Sequence, residues 1–381
     1  TTLTANNGNN NTFISKLDAN GNFVWARSLY GNENSAFSID IDNNGNIIVA
    51  GQFQGTVDFD PSPATFIVNA NSAAAPDIYI LKLDATGNFV WAKSISGVVV
   101  ANIDSKKIHV DGTGNVYVVG SFRGTADFDP STNPADTLNL TSNGSESDIF
   151  FAKYNGNDGS LVWAKSIGGS NSDYGNDITI DGNSNIYITG TFKGTVDFDP
   201  GTGTADLIST NGDIFFAKYN NNDGSLFWAK NLKSSGTGYS EYPSIFVNNS
   251  IYVVGSFGGN VDFNPSPNPA DTLYLTENTG GSIFFAKYNG SDGSLVWAKN
   301  LVATQYSFNE GRNITVKDGD LYLTGRFRYT TDFDPSPNLA DTLYLNNSGG
   351  DAMFFAKYSS NDGSLVWAKS ISGVVVANID S

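Results

Sequence analysis

Cysteine is absent from the 381 residues, and histidine occurs once, as His109. Without cysteine the chain cannot form disulfides, thiolate metal sites or a cysteine nucleophile. A single histidine excludes histidine-rich metal sites and argues against a serine catalytic triad. These absences remove the components of most familiar enzyme active sites.

Charged residues are also scarce, at 15% of the chain against roughly 25% in an average domain. The 38 acids outnumber the 21 bases and give a net charge of −17. Such a charge opposes binding to a phosphate backbone or to an anionic lipid surface. No stretch approaches the roughly 20 apolar residues that a membrane span needs. We therefore expect neither a nucleic-acid partner nor insertion into a membrane.

The sequence repeats with a spacing of 65 to 72 residues, which is most visible in its six tryptophans. They are Trp25, Trp91, Trp163, Trp228, Trp297 and Trp367. About ten residues before each lies an aromatic segment such as residues 150–153, and a turn dipeptide such as Asp158-Gly159 separates the two. This pattern predicts a β-hairpin. We expect the tryptophans to fill the space between adjacent sheets rather than to serve as platforms for glycans.

A second hairpin pattern follows the tryptophan, for example in residues 178–181 and 186–190. Each repeat thus has four strand patterns and no helical period, which is typical of the blades of a β-propeller. We predict an all-β fold, a β-propeller of about six four-stranded blades forming a single domain, residues 1–381. The blade-like repeats are expected at about 1–31, 32–97, 98–169, 170–234, 235–303 and 304–381.

The two ends of the chain add an expectation about assembly. Five blades are expected to be complete and the sixth to be split between the termini. Residues 90–105 are identical to residues 366–381, which suggests a recently duplicated array or a piece of a longer repeat protein. Strand edges of an incomplete blade can pair with another chain.

One full repeat carries a family resemblance. Residues 148–154 and 161–165, followed by 177–181 and 185–190, resemble the bacterial beta-propeller repeat called SBBP. The resemblance covers nearly the whole chain and implies a secreted or surface-attached bacterial protein, with no reaction attached. Residues 83–91 also resemble the docking motif of quinoprotein-type propeller blades, which supports the fold more than a cofactor.

An acidic insert, usually Asp-Phe-Asp-Pro, follows the second hairpin in five repeats. In an extended chain its two acids share one face and the phenylalanine takes the other. Ca²⁺ accepts carboxylate and amide oxygens, so the inserts are candidate calcium sites. The alternative is that these acids cap Asx turns and need no metal. The candidate ligands are Asp58, Asp60, Asp127, Asp129, Asp197, Asp199, Asp262, Asn264, Asp332 and Asp334.

Three inserts continue with Asp-Thr-Leu, which resembles an O-glycan acceptor pattern of some secreted bacterial proteins. The candidate glycosylation sites are Thr137, Thr272 and Thr342. The alternative is an ordinary strand threonine that follows a turn aspartate.

Every acidic feature is repeated, whereas catalysis needs one asymmetric site, so we predict no enzyme and no catalytic residue. The expected function is a secreted, non-enzymatic structural scaffold that binds Ca²⁺ and associates with itself into a fibre or layer. The main alternative is a glycan-binding adhesion module of a larger surface protein, and a propeller glycoside hydrolase is less favoured. An exposed aromatic residue facing a rim pocket would favour the glycan-binding alternative.

Overall fold

The computed structural model describes most of the chain, namely residue 3 and residues 10–71, 75–133, 135–305, 307–338 and 340–371. The chain divides into two compact units. The first comprises Thr1–Ile178 with Asn222–Gly224, and the second comprises Thr179–Asn221 with Ser225–Ser381.

The described residues form strands, turns and bends, and none of them is helical. The prediction of an all-β chain is confirmed. The first unit contains β1 (Phe13–Leu17), β2 (Phe23–Ser28), β3 (Tyr30–Gly31), β4 (Asn34–Ile41), β5 (Ile47–Phe53), β6 (Thr56–Asp58), β7 (Ile67–Asn69), β8 (Asp77–Leu83), β9 (Phe89–Val110), β10 (Val116–Asp127), β11 (Asn139–Thr141), β12 (Asp148–Tyr154) and β13 (Leu161–Ile167).

The strand β14 (Tyr174–Ile180) includes the residue at which the units divide. The second unit contains β15 (Ile186–Asp197), β16 (Asp206–Tyr219), β17 (Leu226–Val247), β18 (Ser250–Asp262), β19 (Tyr274–Asn289), β20 (Leu295–Ala303), β21 (Ser307–Phe308), β22 (Glu310–Lys317), β23 (Asp320–Asp332), β24 (Tyr344–Ser359) and β25 (Leu365–Ile371).

Strand pairing produces four-stranded antiparallel meanders in which the main strands follow their order along the chain. In the first unit, β4, β5, β8 and the start of β9 form one meander. The rest of β9 pairs with β10, which continues to β12 and β13. In the second unit, the end of β17 with β18, β19 and β20 forms one meander, and β22 to β25 form another.

Burial falls from the middle strands of a meander to its last strand. In β12, residues 149–152 are completely buried. The strands β10 and β13 flank β12 within the sheet, and both faces of the sheet are covered at this point. In β13, which carries a tryptophan, Val162 is 49% exposed whereas Ala164 is buried. The continuous apolar runs of the sequence therefore become the interior strands, and the alternating runs become the outer ones.

The hydrophobic core lies between consecutive meanders. Ile80 of one meander and Val118 of the next belong to one buried cluster in the first unit. In the second unit, Phe285 and Leu323 join two further meanders in the same way. Within each unit the sheets thus pack face to face, which buries the apolar surface that a single meander would leave exposed.

The described residues contain no helix with the length and hydropathy needed to cross a membrane.

Candidate functional site

The phenylalanine of each acidic insert is an anchor in the core. Phe128 lies with its ring centroid 5.5 Å from that of Phe122 and 4.9 Å from that of Phe150. Edge-to-face and tilted contacts of this kind stabilise aromatic clusters. The same cluster occurs in every repeat that carries an insert, and the expectation that the phenylalanine points inward is confirmed. The five insert phenylalanines, all at most 1% exposed, are Phe59, Phe128, Phe198, Phe263 and Phe333.

The side chain of the first acid connects the start and the end of each insert by hydrogen bonds. Asp127 Oδ1 accepts hydrogen bonds from the backbone N–H groups of Asp129 at 3.0 Å and Leu138 at 2.9 Å. The second acid acts one turn later, since Asp129 Oδ1 accepts the N–H of Ser131 at 2.9 Å. These are successive Asx turns. The same bonds are made by Asp58 and Asp60, Asp197 and Asp199, Asp262 and Asn264, and Asp332 and Asp334.

The turn bonds account for these acids without a metal ion. Across the described ranges, no group of three or more histidine, cysteine, aspartate or glutamate residues is placed to hold a metal. Each insert brings together two acids, or one acid and one asparagine, so a calcium ion would need its other ligands from backbone carbonyls and water. Calcium binding stays a prediction.

The three candidate glycosylation sites are exposed and lie just outside a strand. Thr137 follows Asp136, whose carboxylate accepts the hydroxyl of Ser131 at 3.0 Å. The same arrangement precedes Thr272 and Thr342. The sites are accessible to a modifying enzyme, and their glycosylation stays a prediction.

The tryptophans link consecutive repeats. Trp91 Nε1 donates to the carbonyl of Gly156, at 3.3 Å, in the hairpin turn of the following repeat. Trp228 and Trp297 donate likewise to the carbonyls of Ser291 and Asn361, at 3.1 and 2.9 Å. Trp91 is buried, and the other five tryptophans are half-buried. They therefore cover the next turn, and Trp91 also belongs to the buried cluster between two meanders, as expected for a tryptophan that fills the space between adjacent sheets.

The repeated Asp-Gly turn is required by this contact. Gly159 has a φ of +71°, and a Cβ atom built on it would lie 3.0 Å from Cε3 of Trp91. Glycine is needed both for the left-handed backbone and for the close approach of the ring.

The most varied group of side chains lies in the second unit, where a pocket of about 290 Å³ opens among charged residues. It is lined by Glu241, Tyr242, Ser256, Gly281, Asn309, Glu310, Arg326, Arg328 and Asp351. This cluster is asymmetric, and the repeat pattern of the sequence did not predict it.

Register explains how these residues meet. Glu310 of β22 lies opposite Arg326 of β23, and Glu241 of β17 lies opposite Ser256 of β18. Glu241 and Glu310 therefore occupy the same position in consecutive meanders. In the first unit, Ser35 lies opposite Gln52 at the corresponding place. That position borders a smaller pocket of about 110 Å³.

The strand that supplies Arg326 contains a Gly-x-Phe-x segment that recurs five times. Its glycine and phenylalanine are constant, and the phenylalanine is always buried. The pair of variable residues is different in each of the five repeats, although serine occurs twice at the first position. They are Gln52 and Gln54, Ser121 and Arg123, Thr191 and Lys193, Ser256 and Gly258, and Arg326 and Arg328. A constant framework thus carries a variable pair of side chains.

Ion pairs connect the acids and arginines of the pocket. Glu310, which is 4% exposed, contacts the guanidinium groups of Arg312 and Arg326. Asp351 contacts Arg326, with Nη1 to Oδ2 at 3.0 Å, and also Arg328. The carboxylate of Glu310 is buried whereas the arginine side chains are partly exposed, so these pairs chiefly compensate the charge of Glu310 and Asp351.

The pocket lowers the pKa of one of its acids and raises the pKa of two other groups. The Arg328 guanidinium is the main cause that lowers the pKa of Asp351 below its usual value. Partial removal from water, and then the nearby Glu310 carboxylate, raise the pKa of Glu241. Desolvation likewise raises the pKa of Tyr242.

Tyr242 occupies an unusual backbone position at the rim. Its φ is +54°, and its side chain is 42% exposed. The β17–β18 register shifts between Glu241 and Ser244, so a bulge presents the ring beside the pocket. The Arg312 guanidinium carbon lies 4.8 Å from the ring centroid. Bulky residues at positive φ are outliers that concentrate at functional sites.

A compositional signal for this cluster exists in the sequence. Three of the five arginines, Arg312, Arg326 and Arg328, lie within 17 residues of one another. The convergence with Glu241 and Asp351 depends on the stacking of successive meanders, which no local pattern encodes.

Comparison with known proteins supports the repeat assignment. Residues 162–191 match the family described as SBBP, a beta-propeller repeat. A curated relative, an uncharacterized WD repeat-containing protein (L264) of Acanthamoeba polyphaga mimivirus, is 26% identical over 424 aligned residues. The alignment covers 92% of this chain, and the chain spans 29% of the length of that relative.

Two solved structures show weak similarity. BamB from Moraxella catarrhalis is 14% identical with a TM-score of 0.24, over 77% of this chain and 96% of BamB. The extracellular domain of a hybrid two-component system protein (BT4673) from B. thetaiotaomicron is 12% identical with a TM-score of 0.20, over 87% of this chain and 53% of that chain. These TM-scores are too low to carry an argument about fold or function. The resemblance to the SBBP beta-propeller repeat is confirmed at residues 162–191.

Proposed function

We propose that the chain is a non-enzymatic binding module, built as a β-propeller of about six blades and working outside the cell. The meanders and the tryptophan contacts between repeats support the propeller arrangement. The single-domain boundaries 1–381 and the extracellular location belong to the same proposal. Its ligand site is the pocket bordered by Tyr242, Glu310 and Arg326.

One observation carries this proposal, the contrast between constant and variable residues. The glycine and phenylalanine of the Gly-x-Phe-x segments build the same core in each repeat. The residues beside them change, and in one repeat they become Arg326 and Arg328 and line a pocket. Side chains that vary on a constant scaffold are what a binding surface requires. The exposed ring of Tyr242 at the rim favours a binding module over a purely structural one.

A ligand screen by thermal shift tests the proposal with two glycine variants. Tyr242→Gly removes the ring and relieves a positive φ, so the variant is expected to fold. Tyr329→Gly is the matched control, because Tyr329 has a φ of +59°, is 41% exposed and does not line the pocket. Ligands of the pocket should raise the melting temperature of the wild type and of Tyr329→Gly but not of Tyr242→Gly. Equal shifts in all three proteins would place binding elsewhere and contradict the proposal.

Self-association into a fibre or layer is the second candidate, and one repeated surface feature favours it. The residue before each tryptophan is apolar and between 43% and 53% exposed. The strands β13 and β25 end their sheets within the described part of the chain, and an open strand edge can pair with a second copy. The exposed apolar residues are Val24, Val90, Val162, Phe227, Val296 and Val366.

The expected split blade includes residues 1–2, 4–9 and 372–381, which lie outside the described residues. Light scattering at increasing concentration tests self-association of the chain. Growing species that disappear when Val162 and Val366 are both replaced by lysine would support it. A strict monomer at high concentration would defeat it.

A further inference from the structure

We infer that the pocket at Tyr242 takes a neutral, polyhydroxylated ligand, a saccharide. This inference rests on the proposed binding function and adds the chemical class of the ligand. It depends on the charge balance of the pocket, on its unused hydrogen-bonding atoms and on its aromatic rim.

The charge of the pocket is balanced within itself. Three carboxylates, from Glu241, Glu310 and Asp351, face the guanidinium groups of Arg326 and Arg328, and Arg312 pairs with Glu310 from the side. An anionic ligand would meet the Glu241 carboxylate, and a cationic ligand would meet the Arg328 guanidinium. Neither kind of ion finds a net opposite charge, so the balance favours a neutral ligand.

Donors and acceptors remain available beside one another. Nε of Arg326 has no hydrogen-bond partner but is buried, so the accessible donors come from Arg328. Arg328 uses its Nε atom on Asp351, which leaves both terminal nitrogens for a ligand. Glu241 supplies carboxylate oxygens at the same rim. A hydroxyl group both donates and accepts, so a row of adjacent hydroxyls satisfies guanidinium and carboxylate groups together. Hydrogen bonds to charged partners are the stronger ones.

The ring of Tyr242 supplies the apolar part of the site. The Arg312 guanidinium lies over the ring, and 42% of the Tyr242 side chain is still exposed. An aromatic side chain with an exposed surface offers an apolar contact for the C–H face of a sugar ring. The volume of about 290 Å³ lies at the lower end of the range of roughly 300–1,000 Å³ for ligand pockets. A ligand of one or two rings suits this space.

A glycan array with calorimetry on the hits tests the class of ligand. It should contain neutral and acidic glycans, and calorimetry should add neutral monosaccharides, uronic acids and free amino acids. We expect neutral glycans to bind the wild type and Tyr329→Gly alike. Binding should weaken at least about tenfold in Tyr242→Gly and in Glu241→Ala, since each loses a direct contact with the ligand.

The outcomes separate this inference from the proposed function. Pocket-dependent binding of only acidic glycans or amino acids would overturn the saccharide class and leave the binding function standing. Neutral glycans that bind all variants equally would show that they bind at another site, which overturns both. If the folded wild type binds no glycan, the saccharide inference is wrong.

Discussion

Asp148 is a buried carboxylic acid with a strongly raised pKa. It is 1% exposed, and its Oδ2 accepts the N–H of Asn143 at 2.8 Å, whereas the buried Oδ1 has no hydrogen-bond partner. Burial, and to a smaller extent the Asp173 carboxylate, raise the pKa of Asp148 to about 7. Between about pH 4 and about pH 7 the folded protein thus retains a proton there that the unfolded chain, with its ordinary value of 3.8, releases.

The pH dependence follows from this difference. Below about pH 4 the carboxyl of Asp148 is protonated in both the folded and the unfolded state, so it does not change the free energy of unfolding. That free energy falls as pH rises from about 4 to about 7, because only the unfolded state loses the proton, and it stays reduced above that. Asp148→Asn imitates the protonated acid, so it should stabilise the protein at pH 8 by up to about 4 kcal/mol, three pKa units at ~1.4 each. The gain should shrink at pH 5.

Thermal or urea unfolding of Asp148→Asn and wild type at the two pH values measures this effect. Asp158→Asn is the control, because Asp158 is exposed and its hydrogen bonds to Ser160 lower its pKa. That variant should gain nothing at pH 8. An Asp148→Asn protein no more stable than wild type at pH 8 would show that the folded carboxyl is ionised without penalty.

The three exposed threonines give a second prediction for single residues. Protein from its native source should carry a mass above that of the polypeptide, located on Thr137, Thr272 and Thr342 by peptide mass spectrometry. Replacement of all three by valine should remove the added mass. A native intact mass equal to the polypeptide mass would end the proposal.

At the residue scale, the sequence was a good guide to positions that repeat. The inward phenylalanine of each insert could be predicted because alternation in an extended chain fixes which side chains share a face. The roles of Arg326 and Tyr242 could not. Arg326 meets Glu310 through strand register, and Tyr242 reaches the rim through a bulge that no turn signal announces.

The hairpin turns that lie over the tryptophans are the elements that connect one repeat to the next. Gly159→Ala should destabilise the protein by about 2–3 kcal/mol, because the added methyl group meets both a left-handed backbone and the Trp91 ring. Gly114→Ala is the matched control, since Gly114 has a φ of +89° and open space around its Cβ position. It should cost only about 1 kcal/mol.

Chemical denaturation of the two alanine variants compares these costs. The difference between them separates the contact with Lys93 and Trp91 from the backbone effect that they share. Equal destabilisation would show that the close approach of these two side chains adds nothing to the cost of the left-handed backbone.

The acidic inserts permit a direct comparison of turn and metal. Asp127→Asn keeps a side-chain oxygen that can accept the two backbone N–H groups, whereas Asp127→Ala loses both bonds. Without Ca²⁺, alanine should destabilise by about 1–3 kcal/mol and asparagine by much less. If the inserts bind Ca²⁺, the wild type should melt at a higher temperature with Ca²⁺ than with chelator, and Asp127→Asn should lose part of that increase.

Melting curves of the three proteins in Ca²⁺ and in chelator decide the matter. An unchanged wild-type melting temperature would remove calcium from the account and leave the Asx turns as the whole role of the inserts.

At the element scale, strand content and hairpin turns could be predicted from period, turn dipeptides and β-branched runs. The lengths could not. The sequence marks two short strands in residues 89–110, but β9 runs through both, since consecutive meanders continue one into the other. Four tryptophans pack against the hydrophobic clusters as expected, but five of the six are only half-buried, because the outer strand of a meander is only half covered.

Across the whole molecule, the features that recur in each repeat differ in role from the features that occur once. The insert phenylalanines, the Gly-x-Phe-x cores and the tryptophan contacts recur and explain stability. The pair Arg326 and Arg328, with Glu241, Tyr242 and Asp351, occurs together at one place and needs another explanation. Packing of like units can supply a rigid frame, and specificity then comes from a few side chains on it.

Hydrogen exchange with and without a bound neutral saccharide tests this central claim most directly. Binding should slow amide exchange in peptides that contain residues 240–243, 309–312 and 326–328, and leave the acidic inserts and the segments next to the six tryptophans unchanged. Protection centred on the inserts or on the outer strands, with none around Tyr242, would contradict the assignment of the pocket as the binding site.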